Sequence, residues 1–102
     1  MKLHFNEQDV IDACCVMAAQ RTNGNPQDMD VDLQFNPNTG FAAEAKDTRD
    51  GYGNVHLHLT EQNMIDGIAT YLAEYHNFIP ERLQIDLLFN EGTGIEADII
   101  VE

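Results

Sequence analysis

The chain has 102 residues, of which 43% are hydrophobic and 23% are charged, and its net charge is −13. This length suits one domain, and the composition is typical of a folded protein. The excess of 18 Asp and Glu over 5 Lys and Arg repels phosphate backbones and anionic membrane surfaces. We therefore expect neither a nucleic acid nor a membrane as partner. A protein partner or a homo-oligomer is expected instead, and the charge favours a basic protein or a cation.

The cysteines and the N-terminus indicate a compartment. Cys14 and Cys15 are neighbours on a predicted helix, where their side chains diverge and cannot form an ordinary disulfide. No basic segment precedes an apolar run at the N-terminus, and no apolar stretch approaches the ~18 residues of a membrane helix. We expect a cytoplasmic protein with reduced thiols.

The chain contains an internal duplication with a spacing of 54 residues. Residues 3–46 align with residues 57–100 without a gap, and 16 of these 44 pairs are identical. Copies this short could not each bury a sufficient core. We therefore predict a single domain in which the copies, 2–48 and 56–102, share one core, with a turn between them at 47–54.

Each copy is predicted to begin with a short strand followed by a helix. A recurring motif marks the start of this helix. The motif NEQDVID, which begins at Asn6, returns as TEQNMID, which begins at Thr60. Asn and Thr are N-cap residues, and an Asp or Asn three positions later completes a loose capping box. Glu7 and Glu61 place negative charge in the first turn, where the helix dipole favours it.

Each helix is predicted to end after about 16 residues, because asparagine caps and prolines follow at that spacing. Asn23 and Asn77 suit left-handed C-terminal caps, and Pro26 and Pro80 prevent any continuation. Two helices of similar length are therefore expected.

Two alternating segments follow each helix, joined by short loops in which Gly40 and Gly94 are expected to have positive φ. Most apolar strand residues have odd numbers, so odd positions should face the core. We predict an α+β, two-layer fold, in which a tandem βαββ repeat forms one mixed sheet of about six strands with two helices on one face. Right-handed crossovers would join the first two strands of each copy, and strand order stays open.

The even-numbered strand face is polar and offers one candidate metal site. His56 and His58 point the same way and could share a divalent metal ion, with Glu44 opposite one of them as third ligand. The first copy has Lys2 and His4 at the matching positions, so this cluster does not look duplicated. Exposed histidines are also ordinary on a solvated strand. We predict no cofactor and keep a divalent metal as the alternative.

The repeated polar pairs on the helices need another explanation. Gln8 and Asp12, like Gln62 and Asp66, lie one turn apart on one flank of a helix. We expect them to fasten the helix to a neighbouring strand or turn rather than to act as catalysts, since nothing indicates the cleft that acid–base carboxylates need.

No phosphate-binding glycine loop, nucleophile elbow or Cys-x-x-Cys motif is present. The leading hypothesis is a small non-enzymatic binding module that contacts a protein partner or itself. Leu88 and Ile100 interrupt the polar face on adjoining strands and would form an apolar patch for self-association. The alternatives are the metal site above and an acidic mimic of nucleic acid.

The segments KLHFNEQDVIDACC and LAEYHNFIPERLQIDLLF resemble the small YxcD-like proteins of Gram-positive spore-forming bacteria, a family of unknown function. The resemblance covers nearly the whole chain. It implies a cytoplasmic bacterial protein, and it brings no catalytic residue, cofactor or substrate.

Overall fold

The computed structural model describes residues 1–49 and 56–102. The elements of the first copy are β1 (Lys2–Phe5), α1 (Glu7–Thr22), β2 (Met29–Asn36) and β3 (Gly40–Asp47); those of the second are β4 (His56–Thr60), α2 (Glu61–His76), β5 (Leu83–Asn90) and β6 (Gly94–Val101). The predicted α+β class and tandem βαββ order are confirmed. Most of the turn predicted at 47–54 lies outside the described residues.

Both helices begin where predicted, because reciprocal caps satisfy their free backbone donors. The Asn6 side chain accepts from Asp9 N at 2.9 Å, and the Asp9 carboxylate accepts from Asn6 N at 3.0 Å. Thr60 and Asn63 form the same pair at 3.1 and 3.0 Å. Each helix has 16 residues and ends at a left-handed asparagine, as expected. Among the described helices, none combines the length and apolar character that crossing a bilayer requires.

The strands form two three-stranded antiparallel sheets, so the predicted single mixed sheet is wrong. One sheet has the order β1-β6-β5 and the other β2-β3-β4. The predicted crossover within each copy is also wrong, because the first and second strands of a copy lie in different sheets. Each hairpin instead pairs with the first strand of the other copy, β6 with β1 and β3 with β4. The copies have therefore exchanged their first strands.

Odd-numbered strand side chains face the helices, as the alternation predicted. Buried residues of both copies form one cluster with the inward side chains of α1 and α2, and Leu33 and Leu87 pack against it. Alternation determines which face of a strand is apolar, but one sheet and two sheets satisfy it equally. Because the odd-numbered side chains face the helices, the even-numbered faces of both sheets are free of helices.

Candidate functional site

The glutamate of the recurring motif joins each helix to the other copy. Glu7 accepts a hydrogen bond from Ile95 N at 3.1 Å, and Glu61 accepts one from Phe41 N at 3.1 Å. Each bonded amide follows a glycine of positive φ, 88° in the first copy and 92° in the second. The sequence indicated only a favourable dipole interaction for these glutamates, because their partners belong to the other copy. This part of the motif is thus structural.

The repeated Gln and Asp contact each other within their helices. Gln8 Nε2 donates to Asp12 Oδ1 at 2.9 Å, and Gln62 Nε2 donates to Asp66 Oδ1 at 2.9 Å. Residues four apart on a helix are neighbours, so the predicted attachment to a strand or turn is replaced by an intrahelical pair. The copies differ in one respect, since Asp12 is half-buried whereas Asp66 is exposed.

The helix-free face of the β2-β3-β4 sheet brings the predicted metal candidates together. Glu44 lies between Asp32 on β2 and His58 on β4, in direct register. Its carboxylate is 2.6 Å from Nδ1 of His58 and 3.3 Å from Nε2 of His56. Glu44 is thus opposite one histidine, as expected. Within residues 1–49 and 56–102, no three His, Cys, Asp or Glu side chains are arranged to hold a metal ion, and the metal site stays a prediction.

Asp32, Glu44 and His58 form a row of three side chains across the sheet, carboxylate–carboxylate–histidine. The same row recurs in the other sheet. Asp98 lies between Asp86 on β5 and His4 on β1. Nδ1 of His4 is 2.7 Å from the Asp98 carboxylate, and Nε2 is 3.7 Å from Glu96. The hydrogen bond to Asp98, aided by the charges of Glu96 and Asp98, raises the pKa of His4 above its ordinary value. The cluster of two histidines is not duplicated, since Lys2 stands at the position of His56, but its histidine–carboxylate pair recurs.

The signal for this second pair was present in the sequence. Asp98 stands 54 positions after Glu44, and His58 stands 54 positions after His4. The pair was missed because it forms only when the first strands are exchanged, which brings together side chains 94 residues apart.

Each row places two carboxylates directly opposite one another on neighbouring strands. Like charges in such positions destabilise an antiparallel pair by about 0.2–1 kcal/mol. Asp32 faces Glu44 in one sheet, and Asp86 faces Asp98 in the other. The even-numbered strand positions carry one buried acidic residue, Glu96. Their other acidic residues are Asp30, Asp32, Glu44, Asp86 and Asp98, and their lysines are Lys2 and Lys46. This surface therefore favours a positively charged ligand.

Leu88 and Ile100 do not form the predicted apolar patch. Leu88 lies opposite Glu96, whereas Ile100 lies opposite Gln84. Four positions along a strand separate the two sites by about 13 Å. They are 37% and 42% exposed, and single exposed apolar side chains are common on protein surfaces.

The two cysteines are unreactive at neutral pH. Burial raises the pKa of Cys14 to about 12, with a smaller contribution from Cys15. Burial and then the charges of Asp12 and Asp30 raise the pKa of Cys15 to about 11. Both side chains are free thiols, and the thiol is a poor nucleophile compared with the thiolate.

Comparison with known proteins agrees with the resemblance found in the sequence. A family model described as "Protein of unknown function (DUF2653)" matches residues 1–52 and 54–102, which correspond to the two copies. The uncharacterized protein YxcD of Bacillus subtilis (strain 168) is 35% identical over 102 residues, which cover 99% of this chain and 95% of YxcD. No solved structure matches the chain. These descriptions assign no activity.

Proposed function

The chain belongs to this family of proteins of unknown function (DUF2653), and we propose that it is a non-enzymatic module that binds a positively charged protein partner. The observation that carries the proposal is the recurrence of one row, carboxylate–carboxylate–histidine, on the helix-free face of both sheets. Strand exchange builds each row from both copies.

The rows favour a cationic partner because they hold like charges together in the free protein. A Lys or Arg side chain placed between opposed carboxylates would remove their repulsion and form charge-assisted hydrogen bonds. The net charge of −13 would also steer a basic surface towards the protein. The same charges oppose self-association through these faces, so a second copy of the chain is the weaker candidate partner.

Several features support a binding role over catalysis. The histidines of the rows, His4 and His58, have side chains 51% and 57% exposed, whereas acid–base catalysis by neighbouring groups usually requires a partly desolvated cleft. Cys14 and Cys15 are protonated thiols. Free thiols are typical of a reducing compartment, which supports a cytoplasmic location as part of the proposal.

A binding titration with a short lysine-rich peptide tests the proposal. Asp32→Asn with Asp86→Asn removes one carboxylate from each row, and Glu81→Gln with Glu91→Gln removes two exposed carboxylates elsewhere for the same change in net charge. We expect the row variant to lose about tenfold in affinity, equivalent to about 1.4 kcal/mol, and the control variant to lose less. Equal losses in the two variants would show that net charge alone attracts the peptide and would refute the proposal.

The divalent metal site predicted from the sequence is the second candidate function, because His56 and His58 both contact the Glu44 carboxylate. These side chains are not arranged to hold an ion in the free protein, so binding would require them to rearrange. Calorimetric titration with zinc, nickel and manganese tests it. Binding that is lost in His58→Asn and kept in His4→Asn would favour this site over its counterpart in the other sheet. If none of the three ions bound the wild-type protein, this candidate would be discarded.

A further inference from the structure

A groove on the helix side of the molecule lies apart from the two rows. It is bounded by α1, α2 and the 3-10 turn Pro26–Asp28, and its volume is about 410 Å³. Small-molecule sites usually fall between about 300 and 1,000 Å³. Asp12 and Cys15 of α1 and Tyr71 and Tyr75 of α2 line the groove, together with two side-chain amides from the turn region.

Among the described residues, the lining carries one charge, which is negative. In that set Asp12 is the only acidic side chain, and none of the lining residues is Lys, Arg or His. Cys15 is a neutral thiol at physiological pH because its pKa is about 11. The pKa of Tyr71 is raised first by burial and then by the charge of Asp12, so the field of this carboxylate reaches the Tyr71 ring. The groove therefore favours a cation over an anion.

The aromatic wall consists of two stacked tyrosines. The rings of Tyr71 and Tyr75 have centroids 5.1 Å apart and planes inclined by 29°. Tyr75 is 57% exposed, which leaves ring surface available to a ligand. The face of a tyrosine ring attracts a cation electrostatically, and a carboxylate beside it supplies the counter-charge.

We propose that this groove binds a small organic cation, with an ammonium or guanidinium group on a short apolar body. The charged group would lie between the Asp12 carboxylate and the rings of Tyr71 and Tyr75. The duplication provides an internal comparison. Asp66 accepts a hydrogen bond from Gln62, as Asp12 does from Gln8. In the first copy, however, Met17 and Arg21 occupy the positions that correspond to Tyr71 and Tyr75. The combination of carboxylate and aromatic pair thus belongs to one copy.

The first test compares a cation with a neutral molecule of the same shape. Choline, its uncharged isostere dimethylbutanol and the guanidinium compound agmatine are titrated into the isotope-labelled protein and followed by NMR. Choline and agmatine should shift the amides of Asp12, Val16 and Tyr75 saturably, and the isostere should bind at least about tenfold more weakly. Failure of both cations, or equal binding of the isostere, would overturn the proposal.

Matched variants then locate the site. Asp12→Asn, which preserves the side-chain shape, should weaken choline binding about tenfold, whereas Asp66→Asn should change it by less than about twofold. Tyr75→Phe should retain binding and Tyr75→Leu should lose it. Equal effects of the two Asp variants would show attraction by net charge only and would refute the site.

The source of the cation is distinguished by competition. If the lysine-rich peptide displaces choline from the groove, the ligand is a side chain of a protein partner. If choline stays bound while the peptide occupies the sheet faces, the ligand is a free small molecule, as proposed. The groove is lined by residues of α1, α2 and the turn that follows α1, and none of them belongs to the rows, so one proposal can fail without the other.

Discussion

The two copies have the same local structure but bury equivalent positions to different depths. α1 has seven buried residues and α2 has four. Met29 and Val31 of β2 are buried, whereas the equivalent Leu83 and Ile85 of β5 are half-buried. The repeat therefore determines the secondary-structure elements, whereas tertiary packing determines how much of each element is buried.

The helices show where the copies come closest. A Cβ added at Gly67 would lie 3.1 Å from Cβ of Met17 and 3.3 Å from the carbonyl oxygen of Ala13. Ala13 and Gly67 are equivalent positions, 54 residues apart. Small residues at both positions allow the helices to pack at short range, whereas Tyr75, two turns further along α2, is exposed.

The largest predicted difference between the copies concerns the core. Cys14 and Ile68 are equivalent and both are 0% exposed. Ile68→Ala should reduce the free energy of unfolding by about 3–4 kcal/mol, because it leaves a larger cavity than Cys14→Ala, for which we expect about 1 kcal/mol. Urea denaturation measures both. A single transition is expected if the copies form one domain, and equal losses would contradict the comparison.

The second prediction concerns the hairpin glycines. Gly94→Val should reduce the free energy of unfolding by about 2–4 kcal/mol. Positive φ strains a β-branched residue, and the new side chain displaces the Glu7 carboxylate, which accepts a hydrogen bond from Ile95 N. A Cβ at Gly94 would collide with the Glu7 carboxylate, whereas one at Gly40 would lie 2.7 Å from Glu61 Oε1. Gly40→Val should therefore reduce the free energy of unfolding by somewhat less than Gly94→Val does.

Gly92→Ala is the control for these glycine variants, because nothing lies within 4 Å of its added Cβ. Its melting temperature should stay close to that of the wild type. Unchanged stability in Gly94→Val would mean that the turn geometry or the bond between the copies is wrong.

The third prediction is a gain in stability. Asp86→Asn removes the repulsion with Asp98 and should stabilise the protein by about 0.2–1 kcal/mol, and Asp32→Asn should do the same in the other sheet. The gain should shrink at high salt, because ions screen exposed charges. Thermal unfolding at low and high salt measures it. Asp66→Asn, which opposes no carboxylate across a strand, should give a smaller gain.

The smallest predicted effect concerns pH. The pKa of His4 is raised above 6.5 by Asp98 and Glu96. Protonated His4 therefore stabilises the folded state fully below its unfolded pKa, and this contribution is lost as the pH rises through the folded pKa. The stability difference between wild type and His4→Gln should be larger at pH 5.5 than at pH 8.5. An NMR titration that placed the pKa at or below 6.5 would contradict this prediction.

The polar rows show why the site was only half predictable. The contact between Glu44 and His58 joins consecutive strands of the chain, so alternation and a hairpin were enough to predict it. The contact between His4 and Asp98 joins opposite ends of the chain, and no local pattern distinguishes it from a solvated surface. The groove was not predicted, because Asp12 and Tyr75 come together only through helix packing.

Local chemistry alone determined where the elements begin and end. Asn6 and Thr60 start helices because their side chains satisfy free amides, Gly40 and Gly94 turn hairpins because they tolerate positive φ, and alternation assigns one face of every strand to the core. Tertiary structure alone decided with which copy's hairpin each first strand pairs. Backbone hydrogen bonds are the same in either pairing, so that choice depends on how all the buried side chains pack together.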